Sequence, residues 1–110
     1  FSRCPNIVAV WALFDDIAFG VIQAVRQARR QDEMFVVGGG GMKDIILRVK
    51  GGDKLTPVDV LYPPGMISTA MELTTIKLLA DAPIEGEYIL SSPLITEQNA
   101  EDYYFPDSPF

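Results

Sequence analysis

The sequence predicts an α/β fold with an open, mainly parallel sheet and helices on both of its faces. Three apolar segments have the length and composition of buried strands, and each is followed by a segment with helical periodicity. A chain in which strand and helix alternate three times typically forms such a sheet through right-handed crossover connections. Of the 110 residues, 48% are apolar and 22% are charged, which is the composition of a globular domain.

The first strand is predicted at residues 7–13, an apolar and largely β-branched run that is typical of a strand buried on both faces. A helix should follow it, with Asp15 or Asp16 at the N-cap position and arginines in its last turn. The residues that repeat at helical spacing, and are therefore expected to face the core, are Ile17, Val21, Ala24, Val25 and Ala28.

The second unit consists of a strand at residues 34–37, four glycines at residues 38–41 and a helix that ends at Gly51 and Gly52. The apolar stripe of this helix is Met42, Ile45, Ile46 and Val49. The unit therefore repeats the strand, loop and helix of the first one.

The third unit is a strand at residues 58–62 and a helix at residues 65–79. The residues expected on one face of this helix are Ile67, Ala70, Met71, Thr74 and Leu78. Short extended segments are predicted at residues 88–90 and 94–95, and the chain continues into an acidic, aromatic tail.

The loops after the three strands are the expected location of a binding site, because ligands of open α/β sheets bind beyond the C-terminal ends of the strands. These loops are residues 13–16, 38–42 and 61–65. The glycines would let a ligand approach the backbone closely and would offer it main-chain N–H groups.

The composition excludes several kinds of chemistry. The chain has no histidine and a single cysteine, Cys4, so histidine-based triads, His-rich zinc sites and paired-cysteine sites cannot be built from this chain alone. We expect no metal site and no cofactor, and we interpret Cys4 as a partly buried apolar residue. Residues 61–110 carry one basic and eight acidic side chains, so nucleic acid is not an expected partner.

Four stretches in the correct order resemble the C-terminal lobe of type I periplasmic binding proteins, the family that includes the ribose-binding proteins of ABC importers. Residues 10–21 match a strand followed by Asn-Asp-(Asp/Glu)-x-Ala-x-Gly, and residues 36–41 match a strand ending in Val-Gly-Phe-Asp-Gly. Residues 52–56 match a Gly-Lys-Leu segment with one residue inserted, and the helix after Pro64 matches the one that packs on the opposite lobe. The resemblance covers nearly the whole chain.

The resemblance implies a type I binding-protein lobe, which is related to flavodoxin-like and Rossmann-like sheets and is present here in part. Residues 1–60 would belong to the C-terminal lobe, residues 61–90 to a crossover and a helix that packs on the N-terminal lobe, and residues 91–110 to a return strand and tail. Without that other lobe we expect the chain to self-associate, and a monodisperse monomer in sedimentation would contradict this expectation.

The function implied by the resemblance is that of the substrate-binding component of an ABC-type importer, not of an enzyme. Its ligand would be a small sugar or related solute, its partner a membrane permease, and its location periplasmic or extracellular. The candidate ligand-binding residues on this basis are Phe14, Asp15, Gly39, Gly40, Leu61 and Tyr62.

Three departures from the family pattern bear on the ligand. Phe14 stands where the family usually has asparagine, Gly40 where it has aspartate, and Leu61 where it has a polar residue. A buried polar group left without its partner costs about 1–3 kcal/mol, so the departures favour a ligand less hydroxylated than a hexose, or a larger one. Phe14 and Tyr62 would then form apolar or stacking walls.

Other interpretations of the same residues stay open. Phe14 can be a core residue and the glycines a flexible turn, while Asp15 can be a helix cap or a ligand contact. The whole chain can also be the effector-binding domain of a lactose-repressor-type transcription factor. A phosphate- or nucleotide-binding enzyme built on the glycines is a further alternative, although neither the Walker A nor the Gly-x-Gly-x-x-Gly pattern is complete.

Overall fold

The computed structural model describes residues 3–62 and 65–109, and these ranges contain four strands and four helices. In chain order they are β1 (Ala9–Trp11), α1 (Asp15–Gln27), β2 (Phe35–Val37), α2 (Lys43–Lys50), β3 (Val58–Val60), α3 (Gly65–Ala80), β4 (Leu94–Thr96) and α4 (Ala100–Tyr103). The three strand–helix units follow one another as the sequence predicts. The predicted α/β fold class is confirmed.

The strands form two pairs that meet at the glycine loop. β1 and β2 are parallel, with Val10 opposite Val36, whereas β3 and β4 are antiparallel. A parallel bridge joins Gly40 to Leu61, and the Gly40 N–H donates to the Val60 carbonyl at 2.9 Å. The C-terminal ends of β1, β2 and β3 therefore lie at one edge, as the rule for open α/β sheets requires.

The core lies between α1, α2 and the strands. α2 buries Ile45, Ile46 and Val49, which confirms the predicted stripe, and it ends at Gly51. Each fully buried aliphatic side chain of this size stabilises the fold by about 1.5–3 kcal/mol. The other buried apolar residues of the core are Ala12, Ala18, Ile22, Val25, Met34, Val36, Leu55, Ile95 and Ala100.

The buried face of α1 differs from the predicted one by about one residue. Ala18, Ile22 and Val25 are buried. Of the predicted residues, Val25 is confirmed in the core and Val21 packs partly buried against it, whereas Ile17 is 49% exposed. A shift of one residue rotates a helix face by about 100°. This rotation carries Asp15 to the buried side, where it binds the glycine loop.

β1 is shorter and more exposed than predicted. It spans three residues instead of seven, and the Trp11 side chain is 70% exposed while Val10 packs against the core. Successive strand residues point to opposite faces, and both faces are buried only where helices cover both. Among the described residues nothing packs on the face that carries Trp11.

α3 is a well-formed helix with no buried residue. Apolar residues lie all around the helix and not only on the predicted face, and both Ile67 and Leu78 of that face are at least 66% exposed. A helix that is apolar on all sides normally lies inside a protein or an assembly. The radius of gyration, 17.8 Å against about 13 Å for a compact chain of this length, agrees with a helix that stands apart.

Residues 88–90 take no part in a described strand, and Ile89 is 86% exposed. One smaller prediction is wrong. Cys4 is exposed and not partly buried. The extended segment predicted at residues 94–95 is confirmed as part of β4.

Candidate functional site

The loops after β1, β2 and β3 line a pocket of about 580 Å³ at the edge that the strand ends define. Its lining residues are Phe14, Asp15, Asp16, Gly39, Gly40, Gly41, Met42, Leu61, Tyr103, Phe105 and Ser108. Five of the six residues predicted from the sequence are among them. The exception is Tyr62, whose N–H donates to the Gly40 carbonyl at 3.2 Å and whose ring packs at Gly39, outside the lining.

Asp15 is the first residue of α1 and lies beneath the glycine loop, with 2% of its surface exposed. Its Oδ1 accepts the Gly39 N–H at 2.9 Å, and its Oδ2 accepts those of Gly41 at 2.9 Å and Met42 at 2.7 Å. Phe14, not an aspartate, occupies the N-cap position, and no side chain caps this helix. The predicted capping role is therefore wrong, and Asp15 instead fixes the loop between β2 and α2.

The glycine loop uses its amides within the protein. The N–H groups of Gly39, Gly41 and Met42 bind Asp15, and that of Gly40 binds the Val60 carbonyl at 2.9 Å. The expectation that these N–H groups face a ligand is thus wrong, because a buried carboxylate competes for them from below. In a phosphate-binding loop the N–H groups must point at the anion. The phosphate- or nucleotide-binding alternative therefore loses its main supporting feature.

Asp59 is a buried site residue that the sequence analysis did not single out. It lies on β3 with 0% of its surface exposed, and its Oδ2 accepts the Gly41 N–H at 3.1 Å. Burial, together with the nearby charge of Asp15, raises the pKa of Asp59 from 3.8 to about 7. The sequence feature that could have identified Asp59 is its position between two valines of a strand. An aspartate at such a position more often faces solvent, because successive strand residues point to opposite faces.

The C-terminal tail contributes a wall that the sequence analysis also missed. Tyr103 at the end of α4, and then Phe105 and Ser108, line the pocket opposite the loops. The Lys43 ammonium at the start of α2 donates to the Ser108 carbonyl at 2.8 Å and so ties the tail to the rim. The aromatic residues of the tail were the available signal, since aromatic side chains typically line small-molecule sites.

Gly38 has no room for a side chain. A Cβ there would overlap Oδ1 of Asp15 and lie 2.8 Å from Oδ1 of Asp59. We expect Gly38→Ala to lower the free energy of unfolding by about 1–3 kcal/mol in urea denaturation, because both carboxyl groups are held in place. The control is Gly20→Ala in α1, where a Cβ meets nothing within 4 Å and should stabilise by about 0.5–1 kcal/mol. Equal effects of the two substitutions would contradict the packing described.

Comparisons with known proteins agree with this geometry. No family model matches the chain. The D-allose-binding periplasmic protein of Escherichia coli (strain K12) is 32% identical over 88 residues, which make up 80% of this chain and 26% of that protein. The resemblance to type I sugar-binding proteins of ABC importers is confirmed.

Solved structures of binding proteins share the fold. The Caulobacter myo-inositol binding protein bound to myo-inositol has a TM-score of 0.76 at 27% identity, over 92% of this chain and 34% of that one. An ABC transporter solute-binding protein from Mycobacterium smegmatis with bound glycerol has a TM-score of 0.80 at 21% identity, over 96% of this chain and 36% of that one. The chain therefore spans about a quarter of the allose-binding protein and about a third of these structures.

The pocket is lined mainly by apolar side chains and glycines and carries few polar side chains. Its polar side chains are those of Asp15, which is occupied by the loop, Asp16, Tyr103 and Ser108. In the part of the chain that the structure describes, no group of three or more acidic or cysteine side chains is placed to hold a metal ion. Over the same residues, no helix has the length and apolar character needed to cross a membrane.

Proposed function

We propose that this chain is part of the substrate-binding component of an ABC-type importer, and that it captures a small solute in a cleft without transforming it. One observation carries the proposal: the loops after three strands converge on a single pocket, at the edge where ligands of α/β sheets bind. The names of the similar proteins, which include binding proteins for D-allose and myo-inositol, support the solute class.

The pocket favours a sugar-like solute with few hydroxyl groups on the side that faces this chain. Phe14 and Leu61 present hydrocarbon, and Gly40 presents no side chain at all, at the three positions where the family pattern has polar groups. A ligand hydroxyl directed at these residues would lose its hydrogen bonds to water without replacement. Deoxy or alkylated faces of a sugar would lose nothing there, and Phe14 and Phe105 would pack against them.

The other parts of the chain fit a protein of two lobes. Residues 1–60 would form part of the C-terminal lobe, residues 61–90 the crossover and the helix that packs on the other lobe, and residues 91–110 the return strand and tail. The exposed apolar surface of α3 supports this division, because it needs a partner surface to cover it. A membrane permease would receive the solute, in the periplasm or at the cell exterior.

Calorimetric titration of the full-length protein tests the proposal. The panel is D-allose, myo-inositol and the 6-deoxy sugar L-fucose, and we expect micromolar or tighter binding of at least one, with the less hydroxylated sugar preferred. Phe14→Ala should weaken that binding by about 10- to 100-fold, because a buried aromatic contact is worth about 1–3 kcal/mol. Phe35→Ala, a matched change on β2 outside the pocket lining, should leave the affinity unchanged.

Two outcomes would contradict the proposal. Tight binding of D-allose with no effect of Phe14→Ala would overturn the apolar wall. Failure of the whole panel, together with a rise in melting temperature on addition of ATP, would instead favour the enzyme alternative. The transcription-factor alternative predicts specific DNA binding by the full-length protein, which the acidic second half of this chain does not favour.

A further inference from the structure

Asp15 and Asp59 form a pair of buried carboxyl groups beneath the glycine loop, here called the carboxyl pair. They come from α1 and β3, and their exposed fractions are 2% and 0%. The Gly41 N–H donates to both, at 2.9 Å to Oδ2 of Asp15 and 3.1 Å to Oδ2 of Asp59. A single backbone amide thus connects both carboxyl groups to the loop that lines the pocket.

The two remaining oxygens of the pair face the same space. Oδ1 of Asp59 has no hydrogen-bond partner among the described residues, and it approaches the point where a Gly38 Cβ would stand, as does Oδ1 of Asp15. A buried carboxylate oxygen that accepts no hydrogen bond destabilises the fold while the group is charged. A proton on one carboxyl group removes that charge and provides a hydrogen bond to the other group. Burial, and next the charge of Asp15, accordingly raise the pKa of Asp59.

Among the residues that the structure describes, no cation forms an ion pair with the carboxyl pair. β2 and β4, which flank β3, have no titratable side chain, and Asp16 on α1 is exposed. The charged side chains of α2, the helix packed on β3, are engaged elsewhere or exposed: Lys43 binds the Ser108 carbonyl, Arg48 binds Asp53, Lys50 binds Glu101, and Asp44 is exposed. A proton is therefore the simplest counter-ion for the second carboxyl group.

We propose that the carboxyl pair holds one proton between its two groups and acts as a positioning device for the glycine loop, so that ligand affinity depends on this proton. With one proton present, Asp59 is neutral and Asp15 keeps its three N–H donors. Loss of the proton places two negative charges in one dry site, and their repulsion must be relieved by movement of the loop or entry of water. Gly39, Gly40 and Gly41 line the pocket, so such a movement changes the binding surface.

Nuclear magnetic resonance of the full-length protein tests the proton directly. We expect the side-chain carboxyl carbon of Asp59 and the amides of Gly39 and Gly41 to share one titration step near neutral pH. Asp59→Asn, whose amide imitates the protonated acid, should abolish the step in the loop amides. Asp44→Asn, which removes an exposed acid from α2, should retain it. Ionisation of Asp59 below pH 5 would overturn the proposal.

Ligand affinity gives the second measurement, and this part rests on the proposed function. For whichever sugar of the panel binds, affinity should fall by as much as about tenfold from pH 6 to pH 8, because the competent fraction falls by that factor. The Asp59→Asn protein should bind with the pH 6 affinity throughout, and an equal fall in that variant would overturn the link to binding. If no sugar binds, the proposed function fails, while the resonance titration still decides the shared proton.

Discussion

Asp15→Ala is expected to lower the free energy of unfolding by about 3–5 kcal/mol, the largest effect of any substitution considered for this chain. The carboxylate accepts three backbone N–H groups, those of Gly39, Gly41 and Met42. The truncation leaves the Gly39 and Met42 N–H groups without this acceptor, while the Gly41 N–H retains only its 3.1 Å bond to Asp59. Hydrogen bonds to a charged group contribute about 1.5–3 kcal/mol each, and partial relaxation of the loop reduces the total. Urea denaturation of the full-length protein measures the loss.

The matched control for this prediction is Asp16→Ala. Both aspartates lie in the first turn of α1 and interact alike with the helix dipole, but Asp16 is exposed. Its loss should cost less than about 1 kcal/mol. If the two substitutions had equal effects, Asp15 would act only through the helix dipole, and the assignment of the loop's hydrogen bonds to it would be wrong. Asp15→Asn should recover less than half of the loss, because its amide nitrogen cannot accept.

The order of the elements and the edge that carries the pocket were predictable from the sequence. Runs such as residues 34–37, the stripe of α2 and the glycines are local signals, and the position of a site beyond the strand ends follows from topology alone. Phe14, Asp15 and Leu61 were predicted from the family resemblance, and each lies within four residues after the end of a strand. Local patterns therefore sufficed wherever the determinant of structure lay within about ten residues of chain.

What the sequence did not reveal depends on contacts between distant segments. Phe105 and Ser108 join the pocket only because α4 turns the tail back across it, and no local pattern encodes that return. The rotation of α1 has the same origin, since it follows from bonds between Asp15 and a loop 24 to 27 residues further along the chain. Apolar periodicity predicts which apolar residues are buried. It cannot predict the burial of a carboxylate, because that burial depends on hydrogen bonds to a distant loop.

Exposure of β1 and α3 illustrates a different limit. Their compositions predict burial, and the described part of the chain supplies no surface to bury Trp11 or Leu78, which are 70% and 76% exposed. An apolar composition predicts that a segment is covered in the functional protein. It does not predict which chain covers the segment. The burial that composition predicts for β1 and α3 is not found within the described residues. In the two-lobed protein proposed above, the other lobe would supply the surface that covers them.

The second large effect concerns Asp59 and the pH dependence of stability. The pKa of Asp59 is raised in the folded protein to about 7, against 3.8 without the fold. Below pH 3.8 the group is protonated in both states and no stability is lost. Between pH 3.8 and about 7 the unfolded chain releases this proton while the folded one retains it, so the folded state loses about 1.4 kcal/mol per pH unit.

We therefore expect Asp59→Asn to become progressively more stable than the unmodified protein as the pH rises, by about 4 kcal/mol in total, with no further gain above pH 7 to 8. Urea denaturation of both proteins at pH 4, 5.5, 7 and 8 measures the difference, and the remaining titratable groups cancel in the comparison. Parallel stability curves would mean that Asp59 ionises as freely in the folded state as in the unfolded chain. A buried group that costs several kcal/mol at neutral pH is an unusual feature for a strand whose neighbours are valines. Its retention is understandable if the same proton that relieves the cost also fixes the loop that forms the pocket.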